Sequence, residues 1–230
     1  MRKRGSFPPG SEEGRMTMRN SFRYCVPFIL LWFSSFFLNQ NLQAQILLNE
    51  FMADPARDWD GDGEYSSRDD EWIEVINAGD SEVDLSGYMI SDGAEGYSWR
   101  YAFSGILSPG EVFVVYGSDS RAWEEANDFP VYGLSLNNAG DRISIFRVAG
   151  NDTVLVDHID FVDNAAEDDR SVGRVAGDPE TWRQFDAFTP CPGSCNPPGN
   201  GCVPTPGFIN DCITSTEDVS WGLIKTRYAD

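Results

Sequence analysis

The densest set of side chains able to do chemistry runs from Asp58 to Asp69. Asp58, Asp60, Asp62, Glu64, Ser66 and Asp69 fall at positions 1, 3, 5, 7, 9 and 12 of a twelve-residue loop, with Gly63 at position 6. That is the ligand spacing of an EF-hand-type calcium loop. Oxygens at alternating positions can be turned inward onto one hard cation, and the glycine permits the sharp bend between them. Asp69 stands where a Glu is usual, and Tyr65 where an aliphatic is usual. The shorter carboxylate reaches less far, so the spacing predicts Ca2+ held more weakly than in a cytosolic sensor. Asp54, Asp70 or Glu71 is near enough in sequence to add an oxygen. Magnesium suits the loop less well, because so many protein oxygens fit the larger ion. The competing reading is a solvated acidic turn closed by Asx-type hydrogen bonds.

Other chemistry is thinly signposted. His158 is the only histidine. A triad would need a nucleophile beside it, and no G-x-S-x-G occurs. Paired carboxylates such as Glu71 and Glu74 carry little weight in so acidic a chain. Trp59, Trp99 and Trp123 are candidates to stack on sugars if they share an exposed face; the alternative is that they cap the core. Cys191, Cys195, Cys202 and Cys212 crowd a Pro/Gly-rich stretch. Their even number favours two disulfides in an exported chain, with three pairings possible. A zinc site is the alternative, disfavoured by the lack of a paired C-x2-C and of a nearby His.

The elements that must hold the acidic loop read as strands. Residues 46–52 are rich in large apolar side chains. Residues 71–77 alternate polar and apolar, the period of a half-buried strand, with Ile73 and Val75 on one face. The loop therefore joins two strands and lacks the flanking helices of an EF-hand. Further strands are predicted at 88–91, 111–116, 142–147 and 153–161, with turn signals at Ser108-Pro-Gly110 and Gly150-Asn151. In 153–161, simple alternation puts Val154, Val156, His158 and Asp160 on one face. One helical turn is expected at 121–126. Strands every 8–15 residues with no long helical period argue for an all-β sandwich. Residues 189–214 should be irregular.

The ends differ in character. Residues 24–38 form an uncharged apolar run, preceded by Arg19 and Arg23 and followed by Leu42-Gln-Ala44. That order reads as a secretory signal peptide over residues 1–44, with Met16 or Met18 as a more ordinary start. The run is shorter than the ~20 residues of a spanning helix, so no membrane span is expected after cleavage. Ser215-Thr-Glu-Asp218 is a capping box ahead of Trp221, Ile224 and Tyr228, so 215–230 reads as a short helix or tag. The 230 residues carry a net charge of -20. Such a surface repels phosphates, which argues against nucleic acid as a partner.

The order of motifs resembles the lamin tail domain as found in exported bacterial proteins. Carrying it are Leu48-Asn49-Glu50-Phe-Met-Ala-Asp54-Pro55 and Asp70-Glu71-Trp72-Ile73-Glu74-Val-Ile-Asn77. Val83-Asp84-Leu85-Ser86-Gly87-Tyr88, Leu107-Ser108-Pro109-Gly110 and Leu136-Asn137-Asn-Ala-Gly140-Asp141 come next in order. Ser171-Val-Gly-Arg174 and Trp182 come last, with Thr189-Pro190 or Thr205-Pro206-Gly207 as the terminal turn. The resemblance covers residues 46–190. It implies an immunoglobulin-like β-sandwich that binds or scaffolds and has no active site of its own. The chain thus divides into a signal peptide (1–44), a sandwich (45–190), a disulfide-rich tail (191–214) and a terminal segment (215–230). The function expected is an exported, non-catalytic module stabilised by calcium and directed to a protein or cell-surface ligand. The alternatives are a calcium-dependent hydrolase of polysaccharide or nucleic acid, which should gather the loop and His158 in one cleft, and a carbohydrate-binding module.

Overall fold

The computed structural model describes residues 45–93, 97–162 and 165–212. The expected signal peptide, residues 213–214 of the tail and the expected terminal helix lie outside the described residues.

Two antiparallel sheets form the sandwich. The first has the order β11 (Asp178–Phe185), β10 (Ser171–Val175), β1 (Ile46–Met52), β2 (Trp72–Asn77), β7 (Val112–Tyr116). The second has the order β5 (Ser98–Ala102), β4 (Tyr88–Asp92), β8 (Gly140–Ala149), β9 (Asp152–Val162). A two-stranded piece pairs β3 (Val83–Asp84) with β6 (Ile106–Leu107). The fold is the all-β sandwich that the strand spacing predicts, immunoglobulin-like as the resemblance implies. The core lies between the sheets. Ile46, Leu48, Phe51, Ile73, Val75, Val115 and Val172 face Tyr88, Ile90, Ile143, Ile145 and Phe161, and the Phe51 and Phe161 rings meet at 4.8 Å.

Two bulges explain where simple alternation fails. The β1–β2 register shifts between Leu48 and Glu50. An extra residue there switches the parity of the strand, so Leu48 and Phe51 both reach the core while Glu50 turns to the outer face. The β8–β9 register shifts between Ile145 and Phe146. Val156 therefore packs against the core, whereas His158 and Asp160 stand exposed. The four β9 residues read as one face do not share it.

The outer face of the first sheet is buried as well, contrary to a half-buried reading of 71–77. Trp72 and Glu74 on β2 and Glu50 on β1 are inaccessible. The tail covers the two glutamates, and Trp59 of the acidic loop packs on Trp72. The course of the tail is irregular, as its composition predicts, and its disulfides pair Cys191 with Cys195 and Cys202 with Cys212. Asp186 anchors it by accepting from the backbone N–H of Cys191, Asn200 and Gly201.

α1 (Gly117–Ala126) comes directly after β7 and is longer than the single turn expected. Asp119 accepts from the Tyr116 N–H at 3.1 Å and closes its first turn. Gly117 donates to the Glu71 carbonyl and Ser118 to the Asp69 carbonyl, so the helix starts against the end of the acidic loop. A Cβ at Gly117 would run into the Arg68 carbonyl.

Candidate functional site

The acidic loop leaves β1, turns at the end of the first sheet and re-enters at the neighbouring interior strand β2. Its carboxylates are spent mostly on its own backbone. Asp58 accepts from the N–H of Gly61 at 2.7 Å and of Gly63 at 3.0 Å. Asp60 accepts from Asp62, and Asp62 from Glu64. Gly61 and Gly63 take positive φ, 77° and 93°, which lets the chain curl this tightly. Asp70 is fully buried and accepts from the N–H of Trp59, Asp60 and Ser66. It closes the loop on itself.

Asp58, Asp60 and Asp70 come together, with one oxygen of each within 4.8 Å of the others. Oxygens bound to Ca2+ at 2.3–2.6 Å lie at most about 5 Å apart across the ion. The separation and the all-oxygen donor set thus fit a hard cation. Asp62 and Glu64 are exposed and stand outside this group. Ser66 accepts from the Asp69 N–H. Asp69 turns away: both its oxygens accept from Nη1 of Arg121 on α1, at 2.8 and 3.1 Å. The spacing named Asp58 and Asp60 as ligands and Asp70 only as a supplement.

Beside the loop lies a cleft of about 400 Å³ lined by Arg57, Asp58, Trp59, Phe188 and Pro204. Its wall is fixed by Asp169, a buried residue held at φ 54°. One Asp169 oxygen accepts from the Ala56 N–H and from Trp59 Nε1; the other accepts from Arg57 Nε at 2.8 Å. The Arg57 guanidinium sits 4.0 Å from the Phe188 ring centre. Trp59 packs on Trp72 at 6.2 Å. Neither Arg57, Phe188 nor Asp169 carried a spacing signal, because three distant chain segments supply them.

The electrostatics around the loop are acidic. Asp54 is raised from its ordinary range by burial, opposed by an Asn138 hydrogen bond and reinforced by Asp168, Glu167 and Asp169. Tyr116 is pushed up to about 12 by burial, then by Glu74, Asp119, Asp60 and Asp70.

A second polar cluster, under the tail, went unflagged in the sequence. Glu50 accepts from the Ser171 hydroxyl and from the N–H and hydroxyl of Thr205. Glu74 accepts from Asn49 Nδ2 at 2.6 Å and from the Gly207 N–H at 2.6 Å. Asn210 donates to the carbonyls of Asn49 and Arg174. Thr205-Pro206-Gly207 is therefore the turn that seals the sheet. Burial pushes Glu50 up to about 7, against its hydrogen bonds, and pushes Glu74 up to about 9, helped by the charge of Glu50. The signal was present as two glutamates in strands whose other residues are nearly all apolar.

His158 pairs across with Ser144 on the second sheet and lies 4.0 Å from Asp160. Among the described residues no contact joins it to the loop. Trp59, Trp99 and Trp123 occupy three separate places: against Trp72, stacked with Tyr97, and on α1 beside Phe129. They make no common platform.

The Lamin Tail Domain model matches residues 39–163. The chain belongs to the lamin tail domain family. The matched stretch runs through β9 and includes the acidic loop; β10, β11 and the sealing turn lie beyond it. Comparison with curated proteins gives no significant match. Lamin tail domains are immunoglobulin-like modules, compatible with binding without catalysis. Among the described residues no helix is long and apolar enough to cross a membrane.

Proposed function

We propose that this lamin tail domain is an exported, non-catalytic binding module whose acidic loop is rigidified by calcium, and that it engages a protein or cell-surface ligand. The observation that carries the calcium reading is the meeting of Asp58, Asp60 and Asp70 within 4.8 Å. Hydrogen bonds have already bent the loop around them, so a cation would meet a pre-shaped set of oxygens. Export is supported by the two disulfides, which persist in oxidising compartments, and by the leader-like run of residues 24–38. Extracellular modules work with calcium affinities of about 10⁻⁴–10⁻³ M, which an Asp-only set can reach.

A hydrolase reading gains nothing from the geometry, since His158 and the loop share no contact. The test is calorimetry and thermal melting of the protein with calcium and with chelator. The expected result is a binding heat and a higher melting temperature with calcium, both lost in Asp58→Asn plus Asp60→Asn. No heat and no shift in the wild-type protein would overturn the calcium assignment.

A further inference from the structure

We propose that the cleft between the acidic loop and the tail receives a lysine or arginine side chain of a partner protein. The proposal rests on the binding-module reading and names the chemistry of the partner. Its volume of about 400 Å³ lies within the range of small-ligand sites.

The cleft is built in advance. Trp59 is fixed at its indole by Asp169 and at its backbone by Asp70, and its ring rests on Trp72. Asp169 adopts a left-handed conformation, rare for a residue with a side chain, and aims both oxygens at the cleft wall.

Charge selects the occupant. Arg57 is neutralised by Asp169. That leaves Asp58 at the rim, with Asp60 and Asp70 behind it. Asp62 and Glu64 are exposed further along the loop, and Asp54 feels Asp168 and Glu167 on the other side. One divalent ion on the three grouped carboxylates leaves this surface negative, and the whole chain carries -20. An anion is repelled here and a cation is drawn in.

The rings add shape. Phe188 already carries the Arg57 guanidinium at 4.0 Å, so the cleft's aromatic lining accepts a cation. A second basic side chain would lay its alkyl stem along Trp59 and Pro204 and bring its head to Asp58, burying the stem while keeping the charge paired.

The experiment titrates the full chain with the peptide (Lys-Gly)6, with (Glu-Gly)6 and with a neutral cello-oligosaccharide, each with calcium and with chelator. The lysine peptide should bind. Phe188→Ala, which removes a ring of the cleft lining and the seat of Arg57, should weaken it about tenfold, and Phe188→Tyr should restore it. Tyr97→Ala, at a ring stacked on Trp99 of the second sheet, should leave it unchanged. Equal affinity in Phe188→Ala and wild type would mean diffuse surface attraction and would overturn the proposal. So would binding of the acidic peptide or the oligosaccharide in place of the lysine peptide. Calcium is read separately in the same samples: Phe188→Ala should keep the calcium heat. Absence of a calcium heat in the wild-type protein with peptide binding retained would sink the calcium reading alone.

Discussion

Asp69 and Asp70 are chain neighbours with opposite fates. In an EF-hand a helix carries position 12 back over the ion. Here a strand comes next, and the chain enters it at Trp72. The residue that turns under the loop is then Asp70, while Asp69 points out to Arg121. Asp70→Asn should abolish the calcium-dependent rise in melting temperature. Asp69→Asn should preserve it and cost no more than about 1 kcal/mol, since it breaks only a partly exposed ion pair. Paired melts with and without calcium distinguish the two; retention of the calcium effect in Asp70→Asn would move the ligand set elsewhere. Spacing revealed the loop because alternation of oxygens is a local property. It did not reveal Asp70 as the closing residue, because that depends on whether a helix or a strand takes the chain away. Gly117 makes a similar point, as the loop's end packs directly on its Cα. Gly117→Ala should cost about 1–3 kcal/mol from overpacking, measurable by denaturant unfolding.

At the scale of elements, the seal over the first sheet governs pH behaviour. Glu50 and Glu74 keep their protons in the fold to about pH 7 and 9, whereas unfolded glutamates lose them near 4.5. Between those limits the folded state binds more protons than the unfolded state, so stability falls as pH rises. The loss is at most about 1.4 kcal/mol per pH unit for each group, roughly 3–6 °C in melting temperature. It levels off above pH 9. Glu71 and Asp92, raised by burial to about 8 and about 7, act in the same direction. Glu74→Gln should flatten the pH 7–9 portion; an unchanged slope in that variant would assign it to other groups. Strand β1 was legible as a stretch of large apolar residues, and β2 as an alternation of polar and apolar ones. The burial of Glu50 and Glu74 was not, because alternation assigns a glutamate to water unless something else covers it.

For the whole molecule, the tail is part of what makes the sandwich stable. Its Pro, Gly and Cys content conveys irregularity truthfully and says nothing of where the irregular chain lies. The Cys202–Cys212 bond closes the segment that contains Thr205, Gly207 and Asn210. Cys202→Ser with Cys212→Ser should lower stability by about 3 kcal/mol, with further loss when the pH is raised. A chain ending at residue 190 would uncover Glu50 and Glu74 and should show no cooperative melt; a sharp transition in that fragment would show the tail to be dispensable.

The place of β1 sets the order of assembly. It is made first among the strands, yet its two neighbours are β2 and β10, and Glu50 pairs in register with Gly173. One edge of the opening strand must wait for more than a hundred further residues before it finds its mate, and the outer glutamate waits longer still for Thr205. Loops of that length are closed late, and folds dominated by such closures take milliseconds to seconds. A chain emerging from the ribosome would stay unfinished until its last described turn is free.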